Sequence, residues 1–274
     1  MAVRVHHLNC GTLCPLGGSL LGGDGGPLAT VRLVCHCLLI EADDGLILVD
    51  TGIGMLDCRQ PSRLGRPAGL AIRPRFDAGE TALARVEALG FEAGDVRHIV
   101  ATHLDLDHAG GLPDFPAAAV HVFAPEHAAA VEPSLKDRPR YLRHHFAHGP
   151  RWTVHQPGGD DWLGFESIRV LPDSKTEVLL VPLVGHSIGH AGVAVKTGER
   201  WLLHCGDAYF FHGEVEAPAH CPPGLRAFQT LVGDDGKRRR ANQERLRELA
   251  ARHGDEVDLV CSHDAVELDR ARPA

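Results

Sequence analysis

The stretch Thr102-His103-Leu104-Asp105-Leu106-Asp107-His108-Ala109-Gly110-Gly111 places two imidazoles and two carboxylates within six consecutive positions. It follows the apolar run His98-Ile99-Val100-Ala101, where a strand gives way to a turn. Charged and imidazole groups this dense are costly to bury unless something compensates them, and a divalent cation does so. A solvated polar turn is the plain alternative in a chain that carries 19 histidines. The metal reading is preferred because other segments supply the ligands that this one lacks.

Those segments share a position. Asp50, His103, His186, Asp207 and His263 each stand at or just after the end of an apolar, strand-like run. Strand ends on one edge of a sheet layer converge, so groups far apart in sequence meet in one cleft. Three imidazoles with carboxylates form a donor set for zinc, or for iron or manganese, at a hydrolytic centre.

The elements that must position them follow from periodicity. Val3 to Leu8, Thr30 to Glu41 and Leu46 to Asp50 read as strands, with Asp44-Gly45 as a hairpin turn between the last two. Residues 57 to 78 read as an irregular surface loop, and Glu80 to Leu89 as a helix stopped by Gly90. Ala119 to Phe123 reads as a strand, and Pro125 to Val131 as a helix with proline at its first position. Residues 132 to 165, rich in Pro, Arg and His, are expected to form a partly helical insertion that covers the site. Strands follow at Val178 to Val184, Val193 to Lys196, Trp201 to His204 and Val257 to Cys261, with a long helix over 238–252. The glycine-rich residues 17–27 lack the Gly-Lys-Ser/Thr ending of a phosphate loop and read as a connector. Together these elements predict one α/β domain spanning 1–274.

Composition sets the outer limits. At 274 residues, 44% hydrophobic and 23% charged, the chain can bury a substantial core. Its net charge of −8 argues against a nucleic-acid partner held by bulk electrostatics. The basic run Lys237-Arg238-Arg239-Arg240 reads as a solvated helix face. No apolar run approaches the ~18 residues of a membrane span, and no signal-peptide core is visible. The eight cysteines then read as reduced, mostly buried thiols, and the cytoplasm is the default location. A homodimer is the common default for assembly.

The motifs carry a family resemblance. His-x-His-x-Asp-His has its counterpart in residues 103–108, with Asp105 at the second histidine position; Gly185-His186-Ser187-Ile188-Gly189-His190, Gly206-Asp207 and Ser262-His263-Asp264 follow in order. With Leu48-Val49-Asp50-Thr51-Gly52, this resembles the metallo-β-lactamase fold superfamily over about residues 30–265, most closely its lactonase-like branch. The resemblance implies an αββα sandwich and two divalent metal ions, zinc by default. It implies a first metal site of His103, Asp105 and His186, a second of Asp107, His108 and His263, and Asp207 bridging them. Asp50 and His190 would orient ligands rather than bind metal.

Asp105 departs from the pattern, since family members usually carry histidine there and the redox diiron members carry glutamate. Three outcomes are open: Asp105 binds the first metal with a preference shifted toward Mn or Fe, that site is weak or empty, or the chemistry is lost. The implied reaction is cleavage of a carboxylic ester or lactone in a small-molecule substrate by a metal-bound hydroxide. Asp107 would deliver the leaving-group proton, and Tyr209 would help hold the oxyanion. Lactonases of this kind carry a tyrosine at slightly different spacing, and here the shifted position holds Phe210. The alternatives within the fold are a thioester hydrolase of the glyoxalase II kind and an iron-dependent sulfur oxidoreductase. A serine nucleophile at Gly185-His186-Ser187-Ile188-Gly189 is rejected, because the elbow needs a helix next and residues 191–195 read as a strand.

Overall fold

Apolar residues fill both faces of the central strands, and that double burial dictates a layered architecture. The structure is a computed structural model, and it describes residues 3–272. The first half supplies β1 (Arg4–Leu13), β2 (Leu33–Ala42), β3 (Gly45–Val49), α1 (Met55–Arg59), α2 (Arg66–Ile72) and α3 (Ala82–Ala88), then β4 (Val96–Val100), β5 (Ala119–Phe123), α4 (Ala124–Val131) and β6 (Arg151–His155). The second supplies β7 (Asp160–Trp162), β8 (Phe165–Arg169), β9 (Val178–Pro182), β10 (Ala191–Thr197) and β11 (Arg200–His204), then α5 (Pro223–Val232), α6 (Gly236–His253), β12 (Val257–Val260) and α7 (Ala265–Ala271).

Two six-stranded sheets result, ordered β1-β2-β3-β4-β5-β6 and β12-β11-β10-β9-β8-β7. Their inner faces meet in one core: Leu38, Ile40, Ile47 and Val49 pack against Val178, Leu180, Val193 and Val195. The alternate residues Leu39, Leu46 and Leu48 face outward onto α3 and α4 through Val86 and Ala130. On the far side, Leu179, Val181 and Leu203 take Leu246 and Leu249 of α6. Helix, sheet, sheet, helix is the αββα sandwich that the sequence motifs imply.

Strand direction delivers the site. β3, β4, β5 and β6 run parallel, so the residues after β3 and β4 emerge on one edge. In the other sheet β9 and β11 are each antiparallel to β10, and β12 is parallel to β11, so these three also point one way. The loops carrying His186, Asp207 and His263 follow β9, β11 and β12.

Several expectations change. Residues 57 to 78 are not an irregular loop but contain α1, a 3-10 turn and α2. The segment 132–165 divides: one 3-10 turn, Arg143–His145, is its only helical part, and residues 151–155 and 160–162 become edge strands of the two sheets. Its high polarity hid them, because an edge strand with exposed residues needs no apolar face. The basic run at the start of α6 is not wholly solvated, since Arg239 turns inward and donates to Gln229. All eight cysteines are free thiols. Among the described residues no helix is long and apolar enough to cross a membrane.

Candidate metal centre

The first turn of the site begins with strain. Asp50, directly after β3, has φ 57, a left-handed conformation uncommon outside glycine. Its carboxylate repays this by three contacts: Oδ1 accepts the Thr102 N–H at 2.8 Å, and Oδ2 accepts the Thr102 hydroxyl at 2.7 Å and faces His108 Nδ1 at 2.9 Å. Because the Thr102 hydroxyl donates to Asp50, it accepts from His103 Nδ1, 3.0 Å away. One buried carboxylate thus fixes two imidazoles, directly and through Thr102, with both Nε2 atoms free. His263 Nδ1 donates to the Val34 carbonyl at 2.8 Å, which likewise frees its Nε2.

The free nitrogens converge on Asp207. Its Oδ2 lies 3.8 Å from His103 Nε2 and 3.5 Å from His186 Nε2, its Oδ1 lies 3.4 Å from His108 Nε2, and both oxygens lie 3.2 Å from His263 Nε2. The carboxylate therefore stands between the two halves of the cluster, within reach of imidazoles from each. Asp105 Oδ2 completes the first half, 3.0 Å from His186 Nε2 and 3.5 Å from His103 Nε2. Asp107 completes the second, with Oδ1 4.0 Å from His108 Nε2 and Oδ2 3.8 Å from His263 Nε2. His190 holds Asp207 in place: its Nδ1 donates to the Leu183 carbonyl at 2.9 Å, so its Nε2 accepts the Asp207 N–H at 2.8 Å. That approach needs a glycine at 206, where a Cβ would lie 2.5 Å from His190 Nε2.

The chemistry of the cluster suits cations. His103 Nε2, His108 Nε2 and Asp207 Oδ1 are buried and without a hydrogen-bond partner. Three donor groups satisfy ligand spacing: His103–Asp105–His186, His103–His108–Asp207 and Asp107–His108–His263. Burial opposes charge on Asp207, yet His263, His108 and His186 hold its carboxyl well below the usual range. Burial likewise opposes charge on His108, but Asp207 and Asp50 push it up to about 10. Carboxylates that capture protons on neighbouring imidazoles are carboxylates short of positive charge, which a divalent ion supplies. The residues present fit two such ions.

Tyr209 is not part of this arrangement. It is fully buried beneath the second sheet, and its hydroxyl donates to Glu267 Oε1 at 3.0 Å. Phe210 takes the place at the site, with its ring centroid 4.8 Å from that of His263. The chain alternates sides at this turn, so adjacent aromatic residues face opposite directions and a phenol at 209 cannot reach an oxyanion. Ser187 is also no nucleophile, since its buried hydroxyl donates to Glu126 Oε2 at 2.6 Å.

Two further residues belong to the site. Glu126 at the start of α4 accepts the Leu104 N–H through Oε1 at 3.0 Å, and the Gly189 N–H through Oε2 at 3.1 Å besides Ser187. It ties the first histidine motif to the second. Arg140, from the 132–150 segment, brings Nη1 to 3.2 Å from Asp105 Oδ1. Neither carries a readable signal: Glu126 sits in an ordinary helical sequence, and Arg140 is one of several arginines in an aperiodic stretch.

Asp105, Asp107, His186, Asp207 and His263 form the floor of a cavity of about 650 Å³. The rest of its lining is mostly apolar, with Leu13, Leu16, Leu21 and Leu33, Ala68, Ala71 and Ile72 of α2, and Leu225, Phe228 and Leu231 of α5, and it carries charge at Lys136, Asp137, Arg140 and Asp234.

Comparison with known proteins agrees with this fold. Residues 30–263 match the family described as the Metallo-beta-lactamase superfamily. A probable metallo-hydrolase of Mycobacterium tuberculosis is 46% identical over 263 residues, covering 96% of this chain and 80% of that protein. An N-acyl homoserine lactonase of Rhizobium johnstonii is 29% identical over 269 residues, covering 96% and 93%. Among solved structures, an N-acyl homoserine lactone hydrolase with N-hexanoyl-L-homoserine at its catalytic metal centre superimposes with a TM-score of 0.74 at 21% identity, covering 99% and 98% of the two chains. The histidine and aspartate cluster at the strand ends, the αββα layers and the family match together place the chain: it belongs to the metallo-beta-lactamase superfamily and is one of its metal-binding hydrolases.

Proposed function

We propose that the protein hydrolyses a carboxylic ester or lactone bearing an apolar acyl chain, at a centre of two divalent ions, zinc by default. The observation that carries this reading is that the His/Asp cluster lines a largely apolar cavity of about 650 Å³. The names of the relatives, N-acyl homoserine lactonases among them, support the same substrate class.

Bound there, the cations would lower the pKa of a water and polarise the substrate carbonyl. The first ion would rest on His103, Asp105 and His186, the second on Asp107, His108 and His263, with Asp207 between. Leucine and phenylalanine side chains of the cavity exclude water from the acyl chain and contribute about 0.8 kcal/mol per buried methylene. Asp107, which lines the cavity, would carry a proton to the leaving alkoxide. Phe210 offers no hydrogen bond, so the position beside His263 supplies no phenol to an oxyanion.

The test is a panel of acyl lactones, aryl esters and thioesters of graded chain length, assayed before and after chelation. A kcat/KM that rises with acyl length for lactones or esters, and vanishes with the metal, is the expected result. Turnover of thioesters alone would transfer the assignment to a thioester hydrolase, and oxygen consumption by an iron form would transfer it to sulfur oxidation.

A further inference from the structure

Asp105 stands where the family pattern has histidine, and the structure shows what accompanies the change. Oδ2 faces the imidazoles of the first site, 3.0 Å from His186 Nε2. Oδ1 faces the other way, 3.2 Å from Arg140 Nη1.

Arg140 is braced rather than loose. Its Nη2 donates to the Val232 carbonyl at the end of α5. Just beyond, the Asp234 N–H donates to the His186 carbonyl at 3.0 Å, and Lys136 pairs with the Asp234 carboxylate at 2.9 Å. A closed circuit therefore runs from Asp105 through Arg140, Val232 and Asp234 to His186 and back to Asp105. Arg140 touches one candidate ligand of the first site, Asp105, directly, and is tied to a second, His186, through the segment that follows α5.

Charge explains the partnership. Replacing a neutral imidazole by a carboxylate adds one negative charge beside a bridging aspartate that is already shared. A guanidinium within ion-pair distance of the outer oxygen cancels it and leaves the inner oxygen for the cation. We propose that Asp105 and Arg140 act as one unit, a charge-neutral replacement for a histidine at the first metal site, with Arg140 as its positioning residue. The inference rests on the metal-centre reading above, and it makes residues 105 and 140 interdependent. Restoring the family histidine alone leaves a buried guanidinium facing the first ion with no anion between them.

The test is metal content and affinity, by elemental analysis and chelator competition, for wild type, Asp105→His, Asp105→His/Arg140→Gln and Asp105→His/Arg140→Lys. Wild type should hold about two equivalents. Asp105→His should lose the first ion, with affinity weakened on the order of 10–100-fold. The double variant with glutamine should regain it, and the one with lysine should not, because lysine keeps the charge. The second ion, retained throughout on Asp107, His108 and His263, reports that each variant is folded. Two equivalents in Asp105→His, or a glutamine double variant no better than it, would overturn the coupling while leaving the metal centre intact. One equivalent in wild type would also overturn it, reducing the pair to a salt bridge. No ion in wild type would overturn the metal-centre reading and this inference together.

Discussion

Ser187 donates its hydroxyl to Glu126 Oε2 at 2.6 Å, and the other oxygen of Glu126 takes the Leu104 N–H at 3.0 Å. A single carboxylate outside the candidate ligand set thereby holds the loop of His103 and Asp105 and the loop of His186 at a fixed separation. Substituting Glu126→Gln turns an amide N–H toward at least one donor and leaves that donor buried without an acceptor. A loss of about 1–3 kcal/mol in unfolding free energy is expected. Metal titration of the folded variant should show the first ion weakened more than the second. Equal weakening of both ions would argue that Glu126 acts on stability alone.

Asp50 serves both halves of the centre. Asparagine tolerates the φ of 57 at this position, so Asp50→Asn changes charge and acceptor capacity without backbone strain. Its amide cannot accept from Thr102 and His108 on the same side. Metal affinity should fall on the order of 10–100-fold at both sites, because His108 is oriented directly and His103 through Thr102. Isothermal titration checks this, and an unchanged second-site affinity would contradict it.

Tyr209 and Phe210 should separate cleanly in kinetics. Tyr209→Phe removes the bond to Glu267 and is expected to cost about 1–2 kcal/mol of stability with kcat unaltered. Phe210→Ala removes a cavity wall beside His263 and should raise KM for long-chain substrates. A large fall in kcat for Tyr209→Phe would show that the phenol reaches the reaction after all.

A histidine ladder crosses the first sheet, with His98 Nδ1 3.0 Å from His121 Nε2 and His121 Nδ1 3.0 Å from His155 Nε2. Burial first, then the charges of His98 and His155, pushes His121 down to about 3. An unfolded chain therefore binds a proton at this position that the folded one refuses. The contribution to stability is fully present above the model-peptide value of 6.5 and is lost as pH falls toward 3. Thermal unfolding of wild type and His121→Leu across that window should show a shallower acid loss in the variant. Parallel curves would mean that the ladder does not limit acid stability.

One α/β domain was legible in the sequence from its apolar strand runs, while the αββα layering was implied only by the family resemblance of its motifs. Runs such as Leu46 to Val49 and Val178 to Val181 admit no other placement in a chain of this size. The Asp44-Gly45 turn was equally plain, with Ala42 and Gly45 paired across it. The candidate metal ligands were legible for a related reason: imidazoles and carboxylates directly after an apolar strand form short, dense motifs that local spacing preserves. Residues 151–162 and the α2 segment were not, since edge strands and short surface helices leave little periodicity behind.

Sequence alone determined that imidazoles and carboxylates would gather at strand ends, because residue type and the strand that precedes it are local properties. Tertiary structure decided which way each side chain faces. Tyr209 and Phe210 are neighbours in the chain, yet one bonds Glu267 in the core and the other lines the cavity. Arg140 is 35 residues from Asp105, and only the return of its loop across α5 brings a guanidinium to the second oxygen of a metal ligand. Such pairings depend on distances between elements folded from different parts of the chain, and no local pattern encodes them.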